Sequence, residues 1–530
     1  MRHRFVSALV KLLSAVLIFG FLLAISIPKF SNTKEKAYQA ALKSALREGL
    51  VRYNADFHTE SYDRIVENPF LRAEVNPLST FSIDVDRASY ANVRRFISQG
   101  QRPPVDAVRI EELVNYFPYD YPEPTDEHPF SITTEVAAAP WNPVHRLVRI
   151  GLKGRSADLT DLPPSNLVFL IDVSGSMREP DKLPLVKSAM RLLVNALRAE
   201  DRVAIVVYAG AAGLALPSVR GDHKALIMAA IDALEAGGST DGGDGIELAY
   251  QVAQEYHVPG GNNRVILATD GDFNVGTSSD GALVRLIEQK RGQGTFLTVL
   301  GFGSGNLKDA KMEKLADHGN GNFAYIDTML EARKVLVTEF GGTLFTIAKD
   351  VKVQVEFNPD RVSAYRLIGY ENRTMAAEEF NDDRKDAGEL GAGHTVTALY
   401  EIIPTGVESH TSVGRVDPLR YRGAHDRLPP AQSNELALVK LRYKDPDGVT
   451  SRLIEHVVVD RAGEPSNDFV FAAAVAGFGM LLRDSEHCGS WTVADALSAA
   501  RASVGRDPHG YRNEFVRLVE VVEEGDMLVQ

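Results

Sequence analysis

At 530 residues the chain is too long for one hydrophobic core, and its 44% hydrophobic content supports several. A formal net charge of −13, with no Lys/Arg-rich block, excludes a surface built for phosphates, so nucleic acid is not an expected partner. The single cysteine, Cys488, excludes an internal disulfide and any CxxC zinc site, and reads as a small apolar packing residue.

In chain order, Arg2, Arg4 and Lys11 precede an apolar run from Leu12 to Ile27. Its length lies between the core of a signal peptide and a full membrane span. Ala24-Ile-Ser26 offers a cleavage site for the first reading. Counting from Phe5, with Lys11 snorkelling, satisfies the second. Either way the leading cations keep the N-terminus inside and send the rest of the chain out. No cysteine follows the run, which excludes a lipoprotein anchor. Residues 1–30 are therefore expected to be a signal peptide or membrane anchor, and 31–60 a juxtamembrane helix and linker. In that helix Leu42, Ala45, Leu46, Gly49, Leu50 and Tyr53 share one face.

Residues 61–125 mix helical and short extended pieces in a small module, closed by the proline-broken linker Pro122-Glu-Pro-Thr-Asp-Glu. Residues 130–155 read as strands. From 165 to 348 the pattern alternates strand and helix. Leu167-Val-Phe-Leu-Ile, Val203-Ala-Ile-Val-Val-Tyr, Val265-Ile-Leu-Ala, Phe296-Leu-Thr-Val-Leu and Phe323-Ala-Tyr-Ile are apolar runs. Helical stretches separate them, such as the face formed by Val186, Ala189, Met190, Leu193 and Leu197. This alternation predicts a doubly wound parallel sheet. Residues 349–460 return to short alternating strands, beginning with Val351-Lys-Val-Gln-Val-Glu-Phe. Strands on both sides of the α/β region predict one β-sandwich into which that region is inserted. Residues 461–530 form a helical tail with an acidic end.

The chemistry gathers where the apolar runs stop. Leu167–Ile171 is followed at once by Asp172-Val-Ser174-Gly-Ser176. In open α/β sheets, ligands bind at the carboxyl ends of strands. A carboxylate and two hydroxyls are hard oxygen donors suited to Mg²⁺ or a similar cation. Gly238-Ser-Thr240-Asp241-Gly-Gly243 adds a third hydroxyl on a glycine-rich loop, and a second buried run ends in Thr269-Asp270-Gly-Asp272.

These three pieces resemble the metal-ion-dependent adhesion site of a von Willebrand factor type A domain. The resemblance implies a Rossmann-like fold and places the metal ligands at Asp172, Ser174, Ser176, Thr240 and Asp270. It implies Mg²⁺ as the cofactor, or another divalent cation such as Mn²⁺ or Ca²⁺. It also implies a coordination position left open for a Glu or Asp of a protein partner. Asp241, Asp244 and Asp272 are candidates for a surrounding layer that tunes the metal. Segments outside this domain are similar to the N- and C-terminal modules of bacterial YfbK-like von Willebrand proteins. They are Ser79-Thr-Phe-Ser-Ile-Asp84-Val-Asp86, the stretch from Val108 to Tyr121, Phe469–Gly479, and Gly510-Tyr-Arg-Asn-Glu-Phe.

Other motifs fall short. Asp84-Val-Asp86 resembles a phosphatase Asp-x-Asp, but Ala88 stands where Thr or Val is usual and the preceding strand is short. Gly237–Gly245 lacks the Lys-Ser/Thr of a P-loop, and no HExxH occurs. The expected protein is thus a metal-dependent binding module of a bacterial cell envelope, not an enzyme. It is anchored in the inner membrane through an uncleaved N-terminal segment, facing the periplasm or exterior, or secreted after cleavage. The alternatives are a metal-dependent hydrolase or phosphotransfer enzyme, for which no general base can be placed beside the site, and a metal-gated adaptor in envelope protein assembly.

Overall fold

Apolar alternation near the start of the structured chain makes two short strands, β1 (Leu71–Arg72) and β2 (Leu78–Ser82), then helices α1 (Ala88–Ser98) and α2 (Ile110–Asn115). The computed structural model describes residues 60–530, apart from 84–85, 158–161, 239–242, 272, 274–279, 340–344, 415–433, 462, 526 and 529–530. The N-terminal apolar run, the helix expected over Thr33–Tyr53, and Asp84, Thr240, Asp241 and Asp272 lie outside the described residues.

A hairpin of β3 (Phe130–Ala139) and β4 (Asn142–Gly154) leads into the α/β region. There the elements run β5 (Ser165–Asp172), α3 (Leu183–Ala196), β6 (Arg202–Tyr208), β7 (Ala212–Arg220), α4 (Lys224–Asp232) and α5 (Gly243–Glu255). They continue with β8 (Asn262–Thr269), α6 (Asp280–Gly292), β9 (Thr295–Phe302), α7 (Asp309–His318), β10 (Phe323–Ile326) and α8 (Met329–Arg333). The sheet order is β10-β9-β8-β5-β6-β7. Every residue of β5 is buried. Val168 and Leu170 face the core shared with α5, α6 and α7, whereas Leu167, Phe169 and Ile171 face the core shared with α3 and α4. Burial on both faces is why this strand reads as an unbroken apolar run.

The expected all-parallel sheet needs one correction. β7 pairs antiparallel with β6. Only residues 209–211 separate the two strands, too few for the crossover that parallel pairing requires.

After the α/β region come β11 (Thr346–Phe357), β12 (Val362–Ile368), β13 (Gly388–Gly391), β14 (Thr395–Pro404), β15 (Glu435–Lys444) and β16 (Arg452–Val459). One sheet runs β1-β12-β14-β4-β3, and the other β13-β11-β15-β16, with β2 also on β11. In the first sheet β4 pairs with β14, Leu152 opposite Val396, so strands from before and after the α/β region are neighbours. Val148, Ile150 and Tyr400 of one sheet pack on Val353, Val355 and Leu441 of the other.

Helices α9 (Asn467–Arg483), α10 (Val493–Ala502) and α11 (Tyr511–Glu524) complete the chain. Here the structure joins what the sequence pattern separates. β1 and β2 belong to the sandwich sheets. Tyr90, Leu113 and Phe117 of the N-terminal helical stretch share one core with Phe471, Phe478 and Phe515 of the tail, and with Leu147 and Leu399 on the outer face of the first sheet. Helices as short as α1 and α2 cannot bury their apolar faces alone.

α1 is buried from Ala88 to Ile97, with Ala88 and Ala91 against the α/β core. Its Arg94 joins three parts of the chain. The guanidinium donates to Asp327 (2.8 Å from Nε), to Glu331 (2.7 Å) and to Glu514 of α11 (3.1 Å). The Tyr116 hydroxyl also donates to Glu331, at 2.8 Å, and the Tyr116 ring stacks on Tyr90 with centroids 3.8 Å apart. Removing one member of a buried ion network strands the others. Arg94→Met should therefore cost about 3–5 kcal/mol in urea denaturation. Loss of the exposed Arg191–Asp232 pair through Arg191→Ala should cost under about 1 kcal/mol.

Candidate metal centre

The order of the α/β sheet reverses at β5, which lies between β8 and β6, and crevices at such switch points bind ligands. Asp172 ends β5 and Asp270 follows β8 by one residue, so both carboxylates stand at this crevice. The chain turns sharply after β5, because Asp172 Oδ1 accepts the Ser174 N–H at 2.8 Å. That turn sets the Ser174 and Ser176 hydroxyls 3.0 Å apart. Ser174 is buried, while Ser176 is exposed. Gly175 N donates to Gly238 O at 3.1 Å and Gly237 N to Val173 O at 2.8 Å, which fastens the start of the Thr240 loop to the first loop.

The two carboxylates differ. Burial pushes Asp172 up to about 6, and the nearby Asp270 charge adds to this against hydrogen bonds from Ser174 and the Tyr208 hydroxyl. Tyr208 reaches Asp172 Oδ2 at 3.2 Å from β6. Burial also works to raise Asp270, but Lys182 overrides it, with hydrogen bonds from Asn306 and Ser176, so Asp270 is held below the usual carboxylate range. Lys182 Nζ lies 2.8 Å from Asp270 Oδ2 and 3.1 Å from Asn306 Oδ1. Gly303, at φ +74°, makes room for the lysine stem, since a Cβ there would come within 2.3 Å of Lys182 Cγ.

Of the expected ligands, Asp172, Ser174, Ser176 and Asp270 are thus brought together, and Thr240 lies outside the described residues. Asp244 is exposed in the first turn of α5. Sequence reasoning missed Lys182, Tyr208 and Asn306. Lys182 comes six residues after Ser176, yet a lone lysine before a helix carries no signal of its partner 88 residues on.

The donors fit a hard cation. Among the described residues no three His, Cys, Asp or Glu side chains converge, so a metal here needs the hydroxyls as well as the carboxylates. Asp172 and Asp270 carry two negative charges and Lys182 one positive, which leaves a divalent ion with net positive charge to attract an anion.

The β9–α7 loop that supplies Asn306 also receives the start of the described chain. Glu60 Oε1 accepts the Gly305 N–H at 2.7 Å, and Ser61 N donates to Leu307 O at 3.1 Å. Arg95 of α1 holds the other Glu60 oxygen at 2.9 Å.

Comparison with known proteins adds the family. The profile described as von Willebrand factor type A domain matches residues 166–338. That of von Willebrand factor matches 56–149, and that of uncharacterized protein YfbK, C-terminal, matches 342–524. The protein described as uncharacterized protein YfbK from Escherichia coli (strain K12) is 46% identical over 472 residues, which cover 88% of this chain and 81% of that one. The E3 ubiquitin-protein ligase WAV3 of Arabidopsis thaliana is 25% identical over 392 residues, 70% of this chain and 47% of its own. Among solved structures, von Willebrand factor type A from Catenulispora acidiphila is similar at 17% identity and a TM-score of 0.41, covering 76% of this chain and 92% of that one. With three profiles in sequence along it and 46% identity over most of both chains, the chain belongs to the YfbK family of von Willebrand factor type A proteins.

Proposed function

We propose that the α/β domain binds a divalent cation, Mg²⁺ by donor chemistry, and presents it to a Glu or Asp of a protein partner at the cell envelope. Von Willebrand factor type A domains are typically protein-interaction modules. The observation that carries the metal-dependent reading is the meeting of Asp172, Ser174, Ser176 and Asp270 at the switch point of the sheet. Thr240 is the fifth ligand by resemblance. The Lys182–Asp270 pair supports the partner chemistry, because it leaves the bound ion undercompensated and drawn to a carboxylate.

Asp172→Ala removes charge and ligand together. Mg²⁺ binding by calorimetric titration should vanish while the circular dichroism spectrum stays unchanged. Retained affinity in this variant overturns the site.

The pH dependence follows from Asp172. Its folded value lies above the ordinary 3.8, so its proton favours the folded chain at low pH, and that contribution is lost as pH rises from 3.8 to about 6. Cation binding needs the carboxylate and therefore runs the other way. Mg²⁺ affinity should fall about tenfold from pH 7 to pH 5, following the ionised fraction of Asp172. A flat profile over this range contradicts the assignment.

Export rests on Arg2, Arg4 and Lys11 before the apolar run. A reporter that works only after export, fused after Tyr53, should be active. Silence there, with an active cytoplasmic reporter at the same position, refutes the location.

A further inference from the structure

The hairpin β3–β4 and the end of β14 bring together a second constellation, far from the cation site in sequence. His145 of β4 is fully buried, and its Nδ1 lies 2.6 Å from Glu401 Oε1 of β14. Its Nε2 lies 2.7 Å from the Ser409 hydroxyl. Ser409 is half-buried on the loop that follows β14. The register explains the meeting: β4 and β14 are adjacent antiparallel strands with Leu147 opposite Glu401, which brings His145 beside the carboxylate.

Each group is held by hydrogen bonds in the arrangement that nucleophilic catalysis uses. Glu401 Oε2 accepts Trp141 Nε1 at 2.9 Å and Arg366 at 3.0 Å, which fixes the carboxylate plane. Burial tends to raise Glu401, but the hydrogen bond from His145, the Arg366 charge and Trp141 prevail and keep it below the usual range. An ionised Glu401 accepts a hydrogen bond from Nδ1–H, which leaves Nε2 as acceptor. The Thr411 N–H donates into Ser409 Oγ at 3.1 Å, so the hydroxyl hydrogen is free for Nε2. Asn142 Nδ2 lies 3.3 Å from the same nitrogen.

The geometry points to a serine nucleophile site in which Ser409, His145 and Glu401 act on a carboxylic ester. Ser409 Oγ adds to the acyl carbonyl carbon as its proton passes to His145 Nε2. The bond from that carbon to the alcohol oxygen breaks, and His145 returns the proton to the leaving alcohol. Water, losing a proton to Nε2, then attacks the Ser409 ester and releases the acid with the serine restored. Ser409 and His145 are the catalytic residues, and Glu401 is a positioning residue.

A fluorophosphonate probe tests this directly, because Ser409 Oγ displaces its fluoride and gains the phosphonyl mass. The full chain, treated in the presence of a metal chelator, should carry one adduct, on the peptide containing Ser409. Ser409→Ala, a change on a loop, should abolish it while the circular dichroism spectrum stays that of the folded chain. Glu401→Gln should slow labelling at least tenfold and move its pH profile lower, since the carboxylate no longer supports the protonated imidazole. No adduct on Ser409, or labelling of Glu401→Gln at the native rate and pH profile, overturns the proposal. If Glu401→Gln fails to fold, the native chain and Ser409→Ala still decide it. The chelator separates this outcome from the fate of the cation site.

Discussion

Burying a guanidinium is costly unless carboxylates meet it, and three such meetings seat the α/β domain against the rest of the chain. Three arginines reach it from outside. Arg94 of α1 meets Asp327 and Glu331. Arg109, just before α2, meets Asp309 and Glu313 of α7 at 2.8 Å each. Arg373, between β12 and β13, meets Glu313 and Asp317. All of these carboxylates lie on α7, on α8 or beside β10, at one edge of the sheet. At that edge α1 packs through Ala88 and Ala91, and Asp86 accepts the Phe323 N–H of β10 at 2.9 Å. The opposite edge, β7, contains Pro217, which cannot donate to a ladder.

Legibility in the sequence follows burial. β5 and β8 are buried on both faces, and an unbroken apolar run announces them. β12 is buried too, but Arg366 interrupts its run, and that arginine is tolerable only because Glu401 lies opposite on β14. No local pattern reveals such a partner. β7, half-exposed at an edge, lacks both the run and the alternation. The merging of the N-terminal helices with the C-terminal ones was equally invisible, since Tyr90 and Glu514 meet across 424 residues.

The same rule divides the sites. Asp172, Ser174 and Ser176 are contiguous, so a motif discloses them. Lys182, which sets the charge of that crevice, and the His145–Glu401–Ser409 chain depend on pairings between distant segments, and only the folded sheet registers them. What sequence conveys is the place where a buried strand ends. What it withholds is which charges arrive there from elsewhere.

The attachment of Glu60 and Ser61 to the β9–α7 loop has a mechanical consequence. Tension entering the described chain at Glu60 meets Gly305 and Leu307 before it meets the core of either sandwich sheet. Between those two residues lies Asn306, which steadies Lys182 against Asp270. A load at Glu60 therefore strains the Lys182–Asp270 contact first, ahead of the sandwich core.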